Sequence, residues 1–120
     1  MDNPQDTQIR EAIAQHVTTY LQKILGINYF ISTKNFNDLP EHNYPGYVPR
    51  IDIIIETKNT INYPYIIMLQ INKSNLTINS KTTIDLNDPN SITKIEETLD
   101  AHIWSIQVFL DGKIWSPNLQ

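Results

Sequence analysis

Apolar positions recur at helical spacing near both ends of the chain and at strand-like spacing between them. Over residues 6–25, Ile9, Ile13, Val17, Tyr20, Leu21 and Ile24 fill one broad stripe, which predicts an amphipathic helix. Arg10, Glu11, Gln15, Thr19, Gln22 and Lys23 occupy the rest of that helix surface. Asp2, Asn3 and Asp6 are candidate N-caps, and Gly26 stands where a helix end favours a left-handed residue. Over residues 91–111, Ile92, Ile95, Leu99, Ile103, Ile106 and Leu110 step by three or four, which predicts a second helix. Asn87, Asn90 or Ser91 would cap it, with Glu96 and Glu97 near its start, where the helix dipole favours acids. Trp104, Ile106, Val108 and Leu110 also alternate ahead of Asp111-Gly112, so a hairpin is the alternative there.

Between the helices, strands are predicted over 27–33 (INYFIST), 51–57 (IDIIIET) and 65–71 (YIIMLQI). The second and third are apolar on both faces for part of their length, which predicts central strands at least partly covered on each side. Pro49 belongs at a strand entry, because an interior proline would remove a ladder donor. Leu76, Ile78, Ile84 and Leu86 mark one or two shorter strands after an Asn72–Asn75 turn, and residues 113–115 a further short strand. The fold class read from this order is α+β: a central, mainly antiparallel or mixed sheet of four to five strands. An N-terminal and a C-terminal helix pack on it, in one domain spanning residues 1–120.

Composition sharpens this picture. The 20 isoleucines support strands, since β-branched side chains fit a pleated surface. The absence of cysteine excludes disulfides, thiolate chemistry and Cys-ligated metals. The polar first ten residues do not read as a signal peptide and no apolar run reaches about 18 residues, so a cytoplasmic protein without a membrane span is expected. The formal net charge is −4 and the nine basic residues are scattered, which argues against autonomous nucleic-acid binding.

The segment 48–73, VPRIDIIIETKNTINYPYIIMLQINK, resembles the PD-(D/E)xK nuclease-like family in its layout. That family places an Asp on the second strand and a Glu-x-Lys on the third, around magnesium. The resemblance puts Asp52 in the role of the acid, the weak candidate for a metal ligand. If Thr57 faces Tyr65 across the hairpin, Asp52 faces Gln70. The third-strand motif reads Gln70-Ile71-Asn72 in place of Glu-x-Lys, with Lys73 one residue late and on the other face unless a bulge re-aims it. The resemblance therefore implies a degenerate member, with Asp52, Gln70 and Lys73 as its candidate catalytic residues and Mg2+ as cofactor only if that alternative holds.

The histidines His16, His42 and His102 make no site by spacing, and His16 and His102 are expected as half-buried residues with one partner each. Two features favour recognition. Ala101, Trp104 and Val108 fall well away from the main stripe of the second helix and give it a second apolar face. The loops around Phe36, Tyr44-Pro45-Gly46-Tyr47 and Tyr63-Pro64-Tyr65 are rich in aromatics and proline. With Trp115, residues Tyr44, Tyr47, Tyr63, Ala101, Trp104 and Val108 are the candidate interface. The reading that leads is a small non-enzymatic interaction or regulatory accessory protein with a protein partner or itself, as a homodimer through the second helix. A nuclease-like metal enzyme or its inactive DNA-associated relative, and a small-molecule binding domain, are the alternatives.

Overall fold

A computed structural model describes residues 4–36, 49–58 and 63–111. Seven elements follow one another: α1 (Pro4–Leu25), β1 (Tyr29–Asn35), β2 (Arg50–Thr57), β3 (Tyr65–Asn72), β4 (Asn75–Ile78), β5 (Thr82–Asp85) and α2 (Ser91–Asp111). The five strands form one antiparallel sheet in the order β1-β2-β3-β4-β5, so every strand pairs with its neighbour in sequence. The α+β class, the two flanking helices and the antiparallel sheet are as the sequence pattern predicts. Residues 104–110 are helical and not a hairpin. The short strand expected at 113–115 lies outside the described residues, as do Tyr44, Tyr47, His42 and Trp115.

Alternation along the strands separates the two faces of the sheet. Ile51, Ile53 and Ile55 of β2, Ile67, Leu69 and Ile71 of β3, Leu76 and Ile78 of β4 and Ile84 of β5 point to one face and are buried. Both helices pack there: α1 over β1 and β2, and α2 over β2, β3 and β5. Ala14, Val17 and Leu21 of α1 meet Ile95, Leu99, Ile106 and Leu110 of α2 in the same core. The second face of β2 and β3 is partly covered, with Asp52 buried on it. Among the described residues no helix lies on the opposite face, where Phe30 and Ile66 are exposed and Ile54 and Met68 half-buried.

The inward stripe of α1 is rotated from the predicted one. Arg10, only 4% exposed, joins Ala14, Val17 and Leu21 at i, i+4, i+7 and i+11, while Ile9 and Ile24 are left nearly half exposed. Its guanidinium Nε is buried with the stem, so charge alone misassigned this position. On α2, Ile92 is likewise half exposed, while Ser91 and Ile95 beside it are buried. Gly26 closes α1 as expected, with φ 92° and its N–H donating to the Gln22 carbonyl at 2.9 Å. The first strand begins at Tyr29 and not at Ile27, which sits in the turn and is 91% exposed.

The β2–β3 register also needs correcting. Ile55, not Thr57, faces Tyr65, and Asp52 faces Met68, with Gln70 opposite Arg50. The ladder stops at Ile55 because the next residue across from Glu56 would be Pro64, which has no N–H to give. The shift of two residues keeps every side chain on its assigned face.

Two tight turns set the far side of the sheet. Lys73 between β3 and β4 has φ 58°. Between β4 and β5, Asn79 and Ser80 have φ 54° and 58°, and the Lys81 N–H donates to the Ile78 carbonyl at 3.1 Å, as in a type I′ turn. Asn79 also extends the ladder of β3: its N–H donates to the Met68 carbonyl at 2.9 Å, and its Oδ1 accepts from the Met68 N–H at 2.8 Å.

Candidate functional site

α2 presents two kinds of contact, polar ones along its edges and apolar ones outward. On the edge toward α1, His16 Nε2 lies 3.0 Å from Glu96 Oε2 and the Tyr20 hydroxyl donates to Asp100 Oδ1 at 2.6 Å. The two bonds advance together along the chain, so the helices run side by side in the same direction. At the end of α2, the Tyr29 hydroxyl donates to Asp111 Oδ2 at 2.6 Å. The Asp100 bond raises the Tyr20 pKa to about 12, and burial followed by the Asp111 bond raises that of Tyr29 to about 12. On the edge toward β3, the Tyr65 hydroxyl and His102 Nδ1 are 2.8 Å apart, and the Phe109 ring meets Tyr65 edge-on at 5.7 Å. Burial, with Lys81 in second place, lowers the His102 pKa. His16 and His102 are thus half-buried with one polar side-chain partner each, as expected.

The start of α2 is held from outside the helix. The Asn90 carbonyl accepts the first helical bond, from the Lys94 N–H at 3.0 Å. The Asn90 N–H donates to Asp88 Oδ1 at 2.8 Å and Lys94 Nζ to Asp88 Oδ2 at 2.6 Å. The bond from Lys94, first, and that from the Asn90 backbone hold the Asp88 carboxyl below its usual pKa. Glu96 and Glu97 lie beyond the first turn, which carries no acid, so the helix dipole does not account for them.

The outward face of α2 holds the predicted apolar residues. Trp104 is 60% exposed, Ala101 is exposed and Val108 half-buried. At 100° per residue, Glu97, Asp100 and Asp111 project within about 40° of Trp104. Tyr63, just before β3, is 75% exposed. Sequence reasoning found Trp104 by its misfit to the main stripe. It did not single out Phe30 and Ile66, which are exposed on the second sheet face.

On that open face Asp52 is only 6% exposed. Arg50 Nε lies 3.0 Å from its Oδ1 and Nη2 3.4 Å from its Oδ2, and Lys34 stands opposite it on β1. The Arg50 guanidinium also sits 4.2 Å from the centre of the Phe36 ring, with Lys34 Nζ 5.1 Å from it. Burial pushes the Asp52 pKa up, and the two cations oppose it. Gln70 is on the same face, diagonal to Asp52. Lys73 is an exposed turn residue five positions beyond Met68, on the order of 15 Å along the strand.

Among the described residues, no three His, Cys, Asp or Glu side chains converge on one point. A shallow cleft of about 310 Å³ opens between α1 and the β1–β2 edge, lined by Glu11, Ala14, Gln15, Thr18, Thr33, Asn35 and Ile51. No helix among the described residues is long and apolar enough to cross a membrane. Comparison of the chain with family models, with curated proteins and with solved structures finds no match.

Proposed function

We propose that this chain is a non-enzymatic interaction domain that docks a protein through the outward face of α2. The carrying observation is Trp104, 60% exposed between Ala101 and Val108 on the side of the helix turned away from the core. Tryptophan is enriched among residues that dominate interface energetics, and a packed helix is a rigid base for it. The experiment compares the proteins that co-purify with the tagged wild type and with Trp104→Glu from the native cell. A stoichiometric partner present with the wild type and absent from the folded variant supports the reading. Identical co-purification overturns it. The mass of the purified wild type and variant in solution tells whether the partner is a second copy.

A second reading keeps the nuclease-like resemblance, and Asp52 favours it. A carboxylate held under desolvation on an open sheet face is the kind of group that functional sites retain. The residues around it do not suit a magnesium centre. Asp52 is already engaged by Arg50, Gln70 offers a neutral oxygen diagonally, and Lys73 is distant. No catalytic step is assigned. Calorimetric titration with Mg2+ tests this reading, which requires binding that Asp52→Ala abolishes.

A further inference from the structure

We infer that the face of α2 around Trp104 takes a cationic amphipathic helix from a different protein, not a second copy of this chain. This rests on the reading that α2 is the docking surface. Its basis is the charge that surrounds the apolar residues. Residues 91–111 contain four acids, Glu96, Glu97, Asp100 and Asp111, and one lysine, Lys94. Lys94 is tied to Asp88 at 2.6 Å. Glu97, Asp100 and Asp111 share the arc of Trp104, one turn or two turns away along the axis.

The bonds these acids make do not neutralise them. Asp100 and Asp111 accept from tyrosine hydroxyls, which carry no charge below the alkaline range. The hydroxyls hold these two carboxylates along the edge of α2 that faces α1 and β1, flanking the arc of Trp104. A second copy would bring an identical set of carboxylates against the first, on a chain whose formal net charge is already −4. Like charges juxtaposed across an interface reject a partner, whereas lysines and arginines at the same distance attract one. An exposed helix face with Trp104 beside the small Ala101 suits a helix whose apolar residues recur at i, i+3 or i+4 and i+7. A single helix face buries little area, so affinity in the micromolar range is expected.

The test uses the full chain and two labelled helical peptides of about five turns, one built of leucine and lysine and one with glutamate replacing every lysine. Fluorescence anisotropy reads the binding. The leucine–lysine peptide should bind and the leucine–glutamate peptide should not. Trp104→Ala, which leaves the charge unchanged, should weaken binding about tenfold or more. Glu97→Lys should weaken it several-fold, and so should raising salt from about 0.05 to about 0.5 M. Equal binding of both peptides, binding indifferent to Trp104→Ala, or no binding of either overturns the inference. A native partner lost with Trp104→Glu but contacting this face without basic residues would leave the docking reading standing and remove this one. Self-association of the wild type through Trp104 would do the same.

Discussion

Tyr20 and Tyr29 make the hydroxyl bonds that join α2 to α1 and β1, and their titration sets the alkaline limit of the fold. Both have pKa values raised from 10 to about 12 in the folded state. The unfolded chain therefore loses these protons first, and stability present in full below pH 10 is lost as pH rises to about 12. Tyr65, also raised by burial, acts in the same direction. Urea midpoints measured at pH 9 and pH 11 should fall, and Tyr20→Phe with Tyr29→Phe should flatten most of that fall. Asp52 has the opposite consequence near neutrality. Its raised pKa means the folded state disfavours the charged form, so above the folded pKa the carboxylate lowers stability. Asp52→Asn should raise the urea midpoint at pH 7, and the gain should vanish below pH 3.8, where both states are protonated. A drop at pH 7 would show that the Arg50 ion pair outweighs desolvation. Single residues were also where the sequence was least legible. Arg10 is buried although its type predicts exposure, and Ile92 is exposed although its spacing predicts burial. Spacing reports the angle around a helix but not what packs against it.

Elements were legible wherever a local physical cause acts alone. The 3.6-residue period placed both helices, Gly26 stopped α1, and β-branched runs placed the strands between them. The β2–β3 register was not legible: Pro64 marks where β3 can begin but not which β2 residue lies opposite, and Asp52 faces Met68 instead of Gln70. At the proposed docking surface, Trp104 was legible as a misfit, while the carboxylates of α2 took on meaning only once their tyrosine partners, about 80 residues distant, were placed. The β4–β5 turn carries a local conflict. Ser80 holds φ 58° without the freedom of glycine, whereas Asn79 tolerates the same conformation and is held by two bonds to Met68. Ser80→Gly should stabilise the protein by about 1 kcal/mol, less the entropy that glycine adds to the unfolded chain. Thermal unfolding should read this as a rise of a few degrees. Asn79→Ala should lower stability by about 1–2 kcal/mol, by leaving the Met68 N–H without its acceptor. Unchanged melting in both would mean the turn relaxes at no cost.

At the scale of the molecule, the core and the proposed docking surface occupy opposite sides of one helix. Leu99, fully buried, and Trp104, largely exposed, are five residues apart on α2. Leu99→Ala should lower stability by about 3 kcal/mol. Trp104→Ala should change it by less than about 0.5 kcal/mol while removing the binding contact. Chemical denaturation of both variants checks the separation, and a large loss for Trp104→Ala would place that ring in the core instead.

A sheet in which each strand pairs only with its predecessor and successor has a consequence for how the chain assembles. The β2–β3, β3–β4 and β4–β5 pairings close over short loops and β1–β2 over a longer one, residues 36–49, whereas the contacts of α1 with α2 join residues 80 positions apart. The entropy of closing that distance predicts that the helix junction forms after the rate-limiting step. Weakening it by Tyr20→Phe should then accelerate unfolding and leave the refolding limb of the chevron where it was. In that event the lifetime of the native state depends on two distant helices staying in register, and the speed of reaching it on neighbouring strands alone.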